Sequence, residues 1–536
     1  MTAALACLLL LESPLARTQP CSIPTAEGAR PCISQGAILC HILPYLQISG
    51  LWIGGVGSPD TRRLLLFQAA VAAAAPALTA VHPLPQHRAA KLVTAVVSSG
   101  LFALSGVLIA FSVTDATLPG LLMLGGATAL AALAVIYLHK LALRGLPGSF
   151  TEGEAWLLAA GTTHGTLWLA FKVLSRSADA TPSVYGHSEQ SANRTARALR
   201  DTLAATLELD TLPVAIVLAT VAAAALLAKL AAELAEQQRK PPRASAAAAT
   251  DSPCGELCKG ADSNGDTTNG HALQRLPVVA WAVAAAGASA YTAFMAAAAH
   301  ATLRFVALHP SRSRTLAGWA AAVATALPLL WMLQRMGALR PIVLRKGFHA
   351  LGLAMFSPVL LADPHMLAVS LAMALCLLLL VEAARAARVP WATAHINAFM
   401  LRFTDARDSG AITISHLSLL VGIASPLWLS LPPAGDHRLP VAAWSGLLSL
   451  GVADSVAAAV GSKLGRTPVH AGSCKTVEGT LAAAVSLWAC FVAVGWSGWR
   501  PAWAALLSCA LEAATMQLDN LVLPVVACVL CTVLCK

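Results

Sequence analysis

Residues 366–385 read MLAVSLAMALCLLLLVEAAR. A run of this length and apolarity matches the ~20 residues that an α-helix needs to cross the hydrocarbon core of a bilayer. Runs of similar character recur on both sides of it. Towards the C-terminus they fall near 411–431, 440–461, 480–496, 501–518 and 521–535, and just before it near 347–363, 316–334 and 276–300. Further upstream they fall near 36–57, 64–81, 92–112, 118–139, 154–174 and 211–230. The pattern predicts an all-α fold, a polytopic transmembrane helical bundle of about 13–15 spans.

Composition agrees. The 536 residues are 57% hydrophobic and only 12% charged, against ~25% charged in an average soluble domain. Mean hydropathy is +0.69. The net charge of +10 is explained by Lys and Arg in loops that fix topology through the positive-inside rule. No long basic run with interleaved aromatics occurs, which argues against a nucleic-acid partner. Several of the 13 cysteines (Cys376, Cys490, Cys509, Cys528, Cys531) lie inside apolar runs, where a thiol acts as a small hydrophobe. Cys254 and Cys258 make a spaced pair without the second half of a zinc site. Residues 3–11 are apolar but short, with no preceding base, a poor match to a signal peptide.

Two polar stretches, 176–209 and 235–273, interrupt the apolar series. The second, with Lys240-Pro241-Pro242-Arg243 and Asp262-Ser263-Asn264-Gly265-Asp266, has the composition of a flexible linker. It divides the chain into an N-terminal multi-span region, 1–234, and a C-terminal multi-span region, 274–536.

The C-terminal region carries charged constellations at the ends of its apolar runs and within them. Ionisable groups in such places are costly and mark function by default. Arg345-Lys346-Gly347-Phe348-His349 enters one run; Arg and Lys bind phosphate and His shuttles protons, or the cluster anchors the helix end. Asp405-Ala406-Arg407-Asp408-Ser409-Gly410 precedes a run with Ser415-His416; two carboxylates three apart suit a divalent metal or proton acceptance. Asp454 lies within the small-residue run Gly451 to Gly461, where a ligand or backbone can approach closely. In Gly472-Ser473-Cys474-Lys475-Thr476-Val477-Glu478-Gly479, the glycines free the backbone to wrap an anion. Lys475 suits phosphate oxygens there, Thr476 donates a hydrogen bond, and Glu478 suits a metal or a ribose hydroxyl. Its spacing is not that of a Walker A loop. Glu512 and the segment Gln517-Leu518-Asp519-Asn520 place acids between the last two runs, where basic groups are their natural partners.

If each run from 347 to 518 crosses once, the loops 340–346, 386–410, 462–479 and 519–520 share one face, with Asp454 within about two helical turns of it. Ten Lys and Arg residues, from Arg340 to Lys475, fall on that face and only Arg438 and Arg500 on the other. The motif-bearing face is therefore expected to be cytosolic.

Residues 340–530, through these five motifs, resemble dolichol kinases within the polyprenol kinase family. The resemblance implies CTP-dependent phosphorylation of dolichol to dolichyl phosphate, for protein glycosylation, at the endoplasmic reticulum membrane. It places the CTP site near 462–479, on Ser462, Lys463, Gly465, Arg466, Gly472, Ser473, Lys475, Thr476, Glu478 and Gly479. Family loops usually carry two adjacent lysines before the Thr; here the first is Cys474, and Lys463 or Arg466 supplies a compensating charge. In the expected mechanism Asp454 and Glu478, with Asp519, hold a divalent cation, Mg2+ or Ca2+. Asp405 or Asp408 takes the proton from the lipid hydroxyl, and Arg345, Lys346 and His349 stabilise the moving phosphate. A phytol or farnesol kinase, or a CTP:lipid cytidylyltransferase, uses related groups. A transporter predicts internal repeats and charges strung along a pathway, which the sequence does not show.

Overall fold

The computed structural model describes residues 137–146 and 148–151, scattered positions from 154 to 169, residues 204 and 206–224, and then 269–336, 341–386, 412–432, 439–469, 473, 475–515 and 518–534. The spans expected before residue 137, the stretch 225–268 and the Asp405 to Gly410 motif lie outside the described residues.

No strand occurs among the described residues, in agreement with the all-α expectation. The C-terminal region comprises α1 (Asn269–Ala307), α2 (Pro310–Arg335), α3 (Pro341–Ala362), α4 (Pro364–Ala386) and α5 (Ile414–Ser430). It continues through α6 (Val441–Leu448), a five-residue π turn (Ser449–Ala453), α7 (Asp454–Leu464), α8 (Val477–Ala493), α9 (Arg500–Ala514) and α10 (Asp519–Leu534). α1 starts at Asn269, inside the stretch read as linker. α2, α3 and α4 each begin on proline, whose missing N–H is unbonded at a helix start in any case. Among the described residues, two helical stretches are long and apolar enough to cross a membrane, Pro364–Ala386 and Val441–Leu464, the latter formed by α6, the π turn and α7. α5, α8 and α10 are apolar but shorter.

The turn from α8 to α9 shows how local sequence stops a helix. Gly495 has φ 96°, a left-handed conformation that a side chain resists. Around it the Trp496 N–H donates to the Phe491 carbonyl and the Gly495 N–H to the Val492 carbonyl, both at 3.0 Å. The Phe491 and Trp496 rings close the motif, 5.4 Å between centroids. This is a Schellman cap with its apolar contact.

The helices meet at two ends. At one, Arg312 is paired with Asp363 at 2.6 Å, the His365 ring bonds the Pro432 carbonyl at 3.0 Å and Arg500 donates to the Leu534 carbonyl at 3.4 Å. At the other, the buried Glu382 carboxylate near the end of α4 accepts from the Thr413 N–H before α5 at 3.0 Å, and Lys475 before α8 reaches the Thr515 carbonyl after α9 at 3.3 Å. Between the ends lies a continuous core that includes Leu360, Leu367, Leu371, Leu375 and Phe491. Backbones approach closely where α5, α6 and α10 cross. A Cβ on Gly422 would sit 2.0 Å from the Asn520 carbonyl, and one on Gly446 2.6 Å from the Gly422 carbonyl. Small residues at crossings are how helices associate where lipid removes the hydrophobic drive.

Candidate functional site

The site gathers at the end of the bundle that carries Lys475 and Thr515. Its first element is a buried ionic group between α3 and α7. Lys346 is ion-paired with Asp454. His349, one turn on, places Nδ1 3.1 Å from the same Asp454 oxygen and 3.1 Å from the Leu450 carbonyl. Both neighbours are acceptors, so Nδ1 is the nitrogen that carries a proton here. The π turn accounts for the second contact. The Asp454 N–H bonds the Ser449 carbonyl, five residues back, so the Leu450 carbonyl is released from the bond it would make to Asp454 in a regular helix. Such π bulges recur at functional sites. His349 and Asp454 are almost wholly buried.

The second element is the loop from α7 to α8. Pro468 and Thr476 form an isolated antiparallel bridge, with Val477 N–H to Thr467 carbonyl at 2.8 Å and Val469 N–H to Lys475 carbonyl at 3.0 Å. Thr476 caps α8, its hydroxyl accepting from Gly479 N–H at 3.3 Å. Both Glu478 oxygens accept from the Thr467 N–H, at 3.1 and 3.2 Å. The Glu478 carboxyl is held below the usual carboxylate range by hydrogen bonds from backbone N–H groups, its own first, against an opposing desolvation effect. Glycines let the loop close. A Cβ on Gly465 would lie 2.4 Å from the Gly461 carbonyl and 2.6 Å from the Thr476 side chain, and one on Gly479 2.8 Å from the Ala457 carbonyl.

Lys475 leaves this loop for the end of α9. It is ion-paired with the Glu512 carboxylate and donates to the Glu512 carbonyl at 2.6 Å. Its backbone N–H donates to the Ser473 hydroxyl at 3.0 Å. Glu512 also lies within electrostatic reach of Asp519 and Asp454, which connects the two elements. Asp519 opens α10, its carboxylate accepting from the Asn520 N–H at 3.0 Å.

Lys346, His349, Asp454, Lys475, Glu512 and Asp519 are thus neighbours or neighbours of neighbours. Ser462, Lys463 and Arg466 lie exposed near the end of α7 and the start of its loop, with Ser462 bonded to its own helix. Arg345 sits on α3, its side chain outside the described residues, and Gly472, Cys474, Asp405 and Asp408 lie outside them altogether. No three of His, Cys, Asp and Glu converge as metal ligands among the described residues. Two residues without a sequence assignment also reach this end. Glu154 accepts from the Leu518 N–H at 3.2 Å, and Ser149 from the Ile412 N–H at 3.2 Å. The Thr-x-x-Glu spacing of 151–154 is the signal that would have found the first.

The chain is similar to curated dolichol kinases. It is 34% identical over 238 residues to dolichol kinase EVAN of Arabidopsis thaliana, a match covering 42% of this chain and 41% of that one. It is 35% identical over 191 residues to dolichol kinase sec59 of Schizosaccharomyces pombe and 33% identical over 204 residues to the dolichol kinase of Homo sapiens, each match covering 34% of this chain and 37% of the relative. The matched stretch spans about two fifths of the length of these relatives. No protein-family model and no solved structure matches the chain.

Proposed function

We propose that this protein is a dolichol kinase of the endoplasmic reticulum membrane, transferring the terminal phosphate of CTP to dolichol. The observation that carries the reading is the similarity to dolichol kinases of a plant, a fission yeast and human. The site supplies compatible chemistry: cations for phosphate beside carboxylates, at one end of a helical bundle. The bundle is read as polytopic, with α4 and the α6–α7 stretch as its clearest crossings, and the site end cytosolic because the basic loops lie there.

In this reading Lys475, with Lys463 or Arg466 in place of the cation that Cys474 lacks, holds the CTP phosphates, aided by Ser473 and Thr476. Incoming phosphate exchanges for the Glu512 carboxylate on Lys475. The dolichol oxygen forms a bond to the terminal phosphorus, the bond to CDP breaks, and the hydroxyl proton passes to Asp405 or Asp408. Lys346, Arg345 and His349 stabilise the charge on the moving phosphoryl group, and Asp454 fixes Lys346 and His349 for that task. Phosphoryl transfer draws its catalysis mainly from such positioning and charge neutralisation.

A divalent cation fits this donor set. Mg2+ is held through one or two carboxylates plus substrate phosphates rather than by a complete protein cage. Asp454 and Asp519, both within electrostatic reach of Glu512, would supply that number. Glu478 keeps lone pairs beyond its Thr467 contact, for the cation or a ribose hydroxyl. The cation, Mg2+ or Ca2+, would neutralise charge on the phosphates.

Microsomes containing the chain, given γ-labelled CTP or ATP with dolichol or phytol, test the reading. Label from CTP in dolichyl phosphate, with CDP released, is the expected result. Label only in phytyl phosphate moves the acceptor, and pyrophosphate release moves the reaction to cytidylyl transfer. No labelled lipid from an inserted chain overturns the reading.

A further inference from the structure

Among the described residues of the N-terminal region, a buried turn reaches the site. Ser149, Thr151 and Glu154 are 0%, 3% and 2% exposed. Thr151 and Glu154 form a reciprocal capping box: the Thr151 N–H donates to Glu154 Oε2 at 2.9 Å, and the Glu154 N–H to the Thr151 hydroxyl at 3.2 Å. The other Glu154 oxygen, Oε1, is the one that accepts from Leu518, 364 residues later. Ser149 Oγ takes the Ile412 N–H across 263 residues. Phe150, Leu143 and Ala155 pack with Ile414 and Leu518 in a small buried cluster that seals these bonds from water.

The Leu518 N–H belongs to the junction that leads into α10, and the Ile412 N–H to the one that leads into α5. Leu518 immediately precedes α10, where donors have no partner within the helix, and it stands beside Asp519. Three residues before it, the Thr515 carbonyl accepts from Lys475 at 3.3 Å. Ile412 stands just before α5 and closely follows the Asp405 to Gly410 motif. A carboxylate that satisfies two buried backbone donors at once is costly to remove, because both donors are then stranded.

We propose that Glu154, supported by Ser149, is a positioning residue: it fixes the Leu518 backbone at the start of α10, and with it the seat of Asp519 at the end of the bundle where Lys475 docks. The N-terminal region then completes the site and is more than a membrane anchor. The inference rests on the kinase reading for its activity arm only.

The test uses the full chain in microsomes and in detergent. Glu154→Ala is expected to lower kcat by roughly ten- to hundredfold, the scale of a small misplacement of reacting groups, with a smaller change in the KM for CTP. Glu154→Gln keeps one acceptor oxygen and is expected to recover most of that loss. Deuterium exchange of amides 515–522 should quicken in Glu154→Ala while α4 stays protected. Exchange is read without substrate, so it decides the inference even if the parent chain phosphorylates no lipid. Unchanged exchange at 515–522 in Glu154→Ala overturns the proposal. So does protection lost throughout the chain with no rescue by Gln, which makes the residue structural only.

Discussion

Lys346 of α3 and Asp454 of α7 form an ion pair across 108 residues, and His349 shares the same carboxylate oxygen. The pair is mostly buried, so removing one partner leaves the other charge stranded. Such breaks destabilise by about 3–5 kcal/mol, whereas replacing both partners with apolar groups is often close to neutral. Asp454→Leu or Lys346→Met alone is therefore expected to lower the melting temperature in detergent. The double variant Lys346→Met/Asp454→Leu should regain most of that loss while lipid phosphorylation stays abolished. Activity returning with stability would remove this pair from the chemistry.

Lys475 faces a different competition. Its ammonium group is held by the Glu512 carboxylate and by two carbonyls at the end of α9. If phosphate displaces the carboxylate, Lys475→Ala should reduce kcat/KM for CTP by about 10²–10³, the usual effect of deleting one oxyanion contact. Steady-state kinetics with CTP as the varied substrate measures it. A change below about threefold removes Lys475 from the nucleotide site.

How much of this was legible in the chain follows from where each signal resides. Apolar runs are local, so the helices from α3 to α10 lie near their expected bounds, although α3 starts at Pro341 rather than 347 and the run 440–461 is broken by the π turn. Asp454 stands out because a charge in an apolar run needs a partner, and the need of Glu512 for a basic partner is met by Lys475. The π turn is not legible, because its register shift depends on how Leu450 and His349 meet in space. Glu154 is hidden for another reason. It opens an apolar stretch that reads as a membrane crossing from 154 to 174, and its partner Leu518 is specified only by the tertiary fold.

The α7–α8 loop depends on bare glycines. Gly465→Ala would put a methyl 2.4 Å from a carbonyl and 2.6 Å from Thr476, and Gly479→Ala would put one 2.8 Å from the Ala457 carbonyl. Backbone cannot yield as a long side chain does, and overpacking of this kind costs about 1–3 kcal/mol. Both variants are expected to melt earlier and to raise the KM for CTP. Gly318→Ala, inside α2 with nothing within 4 Å of its Cβ, is the control: it should leave the KM for CTP unchanged and should not lower the melting temperature.

The Glu478 carboxylate makes the same loop sensitive to acid. Backbone N–H donors, its own first and then that of Thr467, lower its proton affinity in the folded protein. A carboxyl with a depressed folded value stabilises fully above its unfolded value, about 4.3 for Glu. The contribution is lost as pH falls through the folded value, because the unfolded chain takes up the proton first. Glu478→Gln cannot ionise and lacks this term at every pH. The melting temperature of the parent chain should therefore exceed that of Glu478→Gln by a constant margin between about pH 6 and 8. Below the unfolded value the margin should shrink towards zero. Melting curves in detergent across this range measure it, and a margin that widens on acidification would mean that Glu478 is destabilised as an anion in the fold, contrary to its bonds with Thr467.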